Sequence, residues 1–120
     1  MKFLNYICVI IALLFSGTVC AEPTVGEFLE KDKVQSFHAI NATYISGILA
    51  GFMYYTIDLQ ITDKEKIFRP LYCQPGKLAI QSDQAIDILK RFAREDARRR
   101  ELQLGFGMLL ALQETFPCDR

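Results

Sequence analysis

The sequence predicts an all-α protein: a small bundle of about four helices whose C-terminal helical hairpin is clipped by one disulfide. Three observations carry that expectation. Beyond residue 24, apolar residues recur at spacings of three and four, the rhythm of a helix face rather than of a strand. Start and stop signals fall at the ends of those stretches, with Thr24 and Ser82 at two starts and Pro117 at the last stop. Cysteines flank the last two helices, Cys73 ahead of the first and Cys118 behind the second.

The chain is 120 residues long, enough for one domain and too short for a two-domain enzyme. Its 14 Lys and Arg balance 14 Asp and Glu, which argues against a nucleic-acid binder held by phosphate contacts. An apolar content of 51 % with four Pro and seven Gly argues against disorder.

The first 21 residues read as a cleaved signal peptide. Met1-Lys2 is a short positive start, and Phe3 to Phe15 is apolar apart from Asn5. Ser16-Gly17-Thr18 breaks the run, and Val19-Cys20-Ala21 places small residues at the −3 and −1 positions of a peptidase site. A spanning helix needs about 20 apolar residues, so the run is short for the alternative of a permanent anchor. Lipid attachment at Cys20 is rejected, because Gly17-Thr18-Val19 lacks the residues expected ahead of an acceptor cysteine. The working protein is then a single domain, residues 22–120, with one more acid than base. Cys8 and Cys20 leave with the leader, and the remaining pair, Cys73 and Cys118, invites one disulfide in an exported domain. Two free buried thiols are the alternative.

Thr24-Val25-Gly26-Glu27 fits a capping box opening a short first helix that buries Phe28 and Leu29. Lys31-Asp32-Lys33 reads as a solvated hinge or the last turn of that helix. From Val34 to about Asp58 the pattern is helical, with Phe37, Ile40, Tyr44, Ile48 and Phe52 on one face. Small residues run beside them, Ala42, Ser46, Gly47, Ala50 and Gly51, and invite close approach of another helix. His38, Asn41 and Asp58 argue against a membrane span there. Thr62 to Lys66 is polar and expected to be an exposed loop or turn, and Gln74-Pro75-Gly76 is a break. Ser82 is the expected N-cap of a helix to about Arg94, buried through Ile86, Leu89, Phe92 and Ala93. After Glu95-Asp96 a last helix is expected from about Ala97 to Thr115, burying Leu102, Phe106, Leu109, Leu110 and Phe116.

So short a connection makes the last two helices an antiparallel hairpin. The start of one and the end of the other then share an end of the molecule, where a Cys73–Cys118 bridge would clip the hairpin.

Catalysis needs a constellation, and little of one is visible. His38 is the lone histidine, and a packed or partly exposed side chain is the better reading than a base. The sequence carries no G-x-S-x-G or H-E-x-x-H motif and no phosphate-cradling glycine loop. No metal or cofactor site is expected. Asp83 and Asp87, with Lys90 and Arg91, read as an exposed ion-paired face. Arg98-Arg99-Arg100, with Lys90, Arg91 and Arg94, reads either as a solvated turn or as a basic patch for an acidic partner. Asn41-Ala42-Thr43 matches a glycosylation sequon but lies within an expected helix, which favours a chance match.

Four blocks in order resemble the Rap/Tai immunity-protein family. Thr24-Val25-Gly26-Glu27-Phe28-Leu29 looks like its opening T-x-G-E-F-L, and Tyr44-Ile45-Ser46-Gly47-Ile48 like its Y-I-x-G-hydrophobic segment. Tyr72-Cys73-Gln74-Pro75 resembles its aromatic-C-x-P turn, and Phe116-Pro117-Cys118 its terminal F-P-C. The resemblance implies an all-helical periplasmic protein, a Cys73–Cys118 disulfide, and inhibition of a secreted cell-wall amidase by direct binding; that the chain is not an enzyme is the expectation from the missing constellation above. Some relatives are homodimers, so a homodimer is among the expectations. The family's second cysteine pair and its Pro between the last two helices have no counterpart here, where Leu29 to Ala42 holds no cysteine and Arg94-Glu95-Asp96-Ala97 no proline. Arg69 and Tyr72 are candidate contacts in the 59–72 segment, with a packed Tyr72 beside the disulfide as the alternative. A small envelope chaperone or stress protein is the alternative function.

Overall fold

A computed structural model describes residues 21–62, 69–76 and 79–118. The expected leader and most of the polar Thr62 to Lys66 stretch lie outside the described residues. Four α-helices and one 3₁₀ turn make up the rest, in the order α1 (Val25–Asp32), α2 (Gln35–Thr62), α3 (Ser82–Glu95), the 3₁₀ turn (Ala97–Glu101) and α4 (Leu104–Thr115). The protein is all-α, with a C-terminal hairpin of α3 and α4 clipped by a Cys73–Cys118 disulfide.

α1 starts where its capping box stands. Thr24 Oγ1 accepts from the Glu27 amide at 3.2 Å, and the Glu27 carboxylate accepts from the Thr24 amide at 2.8 Å. Two orphan amides of the first turn are thereby satisfied. The helix buries Val25, Phe28 and Leu29, and also Asp32, which is not solvated as its charged neighbours suggest.

α3 is the centre of the domain, packed on α1, α2 and α4. Its stripe is buried as expected, through Ile86, Leu89, Phe92 and Ala93, and Ala85 and Ile88 widen it. The cap differs from expectation by one residue. Gln81 is the N-cap, and the Gln84 side chain accepts from its amide at 2.9 Å. Ser82 is the first helical residue, and its hydroxyl instead lies 2.6 Å from that of Ser46 on α2.

The last helix is not continuous from Ala97. Asp96 Oδ1 accepts from the Arg98 amide at 2.9 Å and opens the 3₁₀ turn. The chain then straightens at Leu102-Gln103, because the N-terminal segment pairs there: Val25 N donates to Leu102 O, and Leu104 N to Pro23 O, both at 2.9 Å. α4 begins only at Leu104 and buries Leu104, Gly107, Met108, Ala111 and Leu112. Phe106 is therefore 54 % exposed rather than buried, and Leu102, Leu109, Leu110 and Phe116 are only partly covered.

α2 carries the largest correction. It is 28 residues long, about 42 Å, and packs mainly on α1 and α3. Its buried line is Asn41 and Ile45, continued by the half-buried Ile48, Leu49 and Phe52. The expected stripe is thus rolled by roughly 70°. Phe37, Ile40 and Tyr44 lie exposed, Ile40 by 63 %. No described helix is long and apolar enough to cross a membrane.

Candidate protein-binding surface

The clipped end of the hairpin is tied both covalently and by hydrogen bonds. Cys73 and Cys118 are bonded, with their Cα atoms 4.8 Å apart. The Cys73 amide donates to Phe116 O at 2.9 Å, and Gln113 Nε2 donates to Leu71 O at 2.9 Å. The segment before α3 is therefore held against the end of α4 by one covalent and two hydrogen bonds. Tyr72 sits half-buried beside the bridge, its ring edge-on to Phe52 with centroids 6.4 Å apart. Burial pushes its phenol pKa up. Of the two sequence candidates here, Tyr72 is packed and Arg69 is exposed.

Two grooves open on either side of this tied segment and share Ile80. One, of about 760 Å³, runs along α3 to the end of α4; Ile80, Ile88 and Phe116 line it together with Arg91, Arg94 and the single acid Asp87. The other, of about 720 Å³, lies between the second half of α2 and the Cys73 segment; Met53, Ile57 and Tyr72 line it. Sequence reading missed both. A usable signal existed for the first, since Ile88 is apolar yet is not among the expected stripe of Ile86, Leu89, Phe92 and Ala93, and it stands directly after Asp87 and shortly before Lys90 and Arg91. The second depends on a fold-back of the 69–76 segment that no local pattern announces.

The basic residues separate into two sets. Arg98 pairs with Asp96 at 2.7 Å and holds its carboxyl down to about 2. Arg99 reaches Glu95 at 2.8 Å and Glu114 at 3.2 Å, donates to Phe92 O and stacks 4.2 Å above the Phe92 ring. Arg100 pairs with Glu30 at 2.8 Å and so ties the 3₁₀ turn to α1. Lys90 is drawn to Asp32 at 3.1 Å. The triple-arginine tip is thus spent on intramolecular pairs. Arg91 and Arg94 make no ion pair among the described residues. They are left with their charges facing outward over an apolar floor.

A third cluster joins the first three helices. The Asp32 carboxylate, 3 % exposed, takes Lys90 Nζ at 3.1 Å, His38 Nδ1 at 3.1 Å and Asn41 Nδ2 at 3.4 Å. Burial would raise its pKa; the hydrogen bonds from Lys90, His38 and Asn41 outweigh that and hold it below the usual carboxylate range. His38 also faces Asp83 at 3.4 Å, and Lys90 faces Asp87 at 3.9 Å. His38 is therefore a bridge between carboxylates. Asn41 of the sequon is buried with its amide committed to Asp32. Among the described residues no group of three or more His, Cys, Asp or Glu is placed to hold a metal ion.

Fold and surface together describe a class: a small disulfide-clipped helical scaffold presenting apolar grooves, one of them rimmed by cations. No protein-family model matches the chain, and no curated protein or solved structure matches it either.

Proposed function

We propose that the chain is a periplasmic immunity-type binding protein of the Rap/Tai kind, which inhibits a secreted peptidoglycan amidase by direct binding. One observation carries the reading: two grooves sit on either side of a covalently fixed edge, so a partner meets a preorganised surface rather than a mobile one. Such inhibition needs shape and charge, not catalytic groups. Arg91 and Arg94 over an apolar floor have the composition of an interface anchor, with arginine beside desolvated apolar contacts. Their charge selects a partner surface with acidic residues at the matching rim. The disulfide is compatible with an oxidising compartment.

The test is capture followed by inhibition. Oxidised protein is incubated with secretions of the parent organism, the recovered hydrolase is identified, and its cleavage of peptidoglycan is followed with added protein. The expected result is stoichiometric inhibition. Arg91→Glu with Arg94→Glu, or Ile57→Glu alone, should weaken it about 100-fold, equivalent to about 2.7 kcal/mol, with the melting temperature unchanged. Inhibition unaffected by either variant would rule out the grooves.

A small envelope chaperone is the second reading, favoured by the exposed apolar residues of α2. A chaperone would bind hydrophobic dye and many unrelated envelope proteins more strongly at low pH, and an inhibitor would recover one hydrolase.

A further inference from the structure

We propose that the groove along α3 binds a free fatty acid of about twelve carbons, its carboxylate on Arg91 and Arg94 and its tail along Ile88, Ile80 and Phe116. The ligand is a small amphiphile, so the inference goes beyond the amidase reading while using one of the same grooves.

The groove is polarised along its length. Gln84, Ile88 and Arg91 follow one another at i, i+4 and i+7, so they lie in line on α3, and Arg94 stands one turn beyond Arg91. At the opposite end Ile80 precedes the helix and Phe116 ends α4, its carbonyl held by the Cys73 amide at 2.9 Å. Cations thus stand at one end and uncharged side chains at the other. A solute with one charged and one apolar end matches that order. A wholly apolar solute would desolvate two arginines without giving either a partner. The second groove offers no such contrast, since no charged side chain lines it.

Charge narrows the head group. Arg91, Arg94 and Asp87 are the only charged side chains lining the groove, which leaves one net positive charge. Asp87 is 75 % exposed, and Lys90, 3.9 Å away, is drawn instead to Asp32 at 3.1 Å. The Asp87 charge is therefore only weakly answered. A single carboxylate balances the groove, whereas a dianionic head such as a phosphate monoester exceeds it and is repelled by Asp87. Neither Arg91 nor Arg94 makes an ion pair among the described residues. Their planar guanidinium groups suit the two oxygens of a carboxylate.

Dimensions set the tail. From Gln84 to Arg94 the helix rises about 15 Å. An extended tail of about twelve carbons, with bonds of about 1.5 Å, spans roughly 14 Å. The groove volume of about 760 Å³ falls within the range of roughly 300–1,000 Å³ typical of small-molecule sites.

The test is titration calorimetry of the oxidised protein with sodium laurate below its micelle concentration. One laurate per protein is expected, with a dissociation constant on the order of 10 μM. Dodecyltrimethylammonium, the same tail length with a cationic head, should bind at least about 30-fold more weakly, and so should laurate to the double variant Arg91→Gln/Arg94→Gln. Asp87→Asn should tighten laurate about threefold by removing the opposing charge. Ile57→Glu, in the other groove, should leave laurate binding unchanged although it should weaken amidase inhibition, so the two readings fail separately. All four positions are exposed, and circular dichroism verifies that helix content is retained. No saturable binding of laurate below about 1 mM, equal affinity for the cationic amphiphile, indifference to the arginine pair, or loss of binding in Ile57→Glu would overturn the proposal.

Discussion

Single residues show how differently one residue type can be constrained in this fold. A Cβ on Gly107 would run into Val25 Cγ2, and Val25 is fully buried. Gly107→Ala should therefore cost about 1–3 kcal/mol, while Gly47→Ala should add roughly 0.5–1 kcal/mol by helix propensity alone. Denaturant melts would show the two shifts with opposite signs. Asp32 allows a prediction in pH. Its folded pKa lies below its ordinary value near 4, so its stabilisation is complete above about pH 4 and is lost as pH falls through the folded value. Asp32→Asn should destabilise by on the order of 1–3 kcal/mol at pH 7, with the deficit shrinking as pH falls below about 4. A deficit that does not shrink on acidification would contradict the role given to that carboxylate. Sequence reading did not find Asp32, because its principal partner, Lys90, comes from a different helix far along the chain.

At the scale of helices, legibility followed chemical contrast. α1 and α3 carry their boundaries and buried faces openly: Thr24 with Glu27 marks one start, and on α3 charged and apolar residues alternate at helical spacing. α2 was legible as a helix but not as an orientation. With His38 and Asp58 as its only titratable side chains apart from tyrosines, α2 has little charge to mark a polar side, and the stripe with the best spacing was not the one that packs. The break before α4 was hidden for another reason. Leu102-Gln103 has no Gly or Pro; the helix is interrupted because Pro23 and Val25 take its backbone groups. Among candidate functional residues, the triple arginine drew attention by density, yet within that basic patch it is Arg91 and Arg94 that make no ion pair among the described residues, and the pairs made by the others separate the two sets.

On the scale of the whole molecule, the disulfide governs how much of the fold survives reduction. It closes a separation of 45 residues that contains all of α3 and α4, worth roughly 3–4 kcal/mol in the chain-entropy view. For a domain of this size total stability is about 5–10 kcal/mol. Cys118→Ser should then lower the melting temperature by at least about 10 °C. Calorimetry of the variant beside the wild type in reductant checks this, and matching, unshifted curves would contradict it. This bridge was foreseeable because hairpin geometry brings both cysteines to one end. What it organises, the grooves on either side, was not foreseeable, because their walls come from α2, α3, α4 and the 69–76 segment at once.

The N-terminal stitch has a consequence for timing. Glu22 accepts from the Gly105 amide at 2.6 Å across a separation of 83 residues, beside the Pro23 and Val25 bonds to Leu104 and Leu102. The first residues of the domain thus find their partners only near its end. A chain delivered from its N-terminus can pack α1 on α2 early, but the stitch itself has no partner until the start of α4 has emerged. Its closure is postponed to the last stage of delivery.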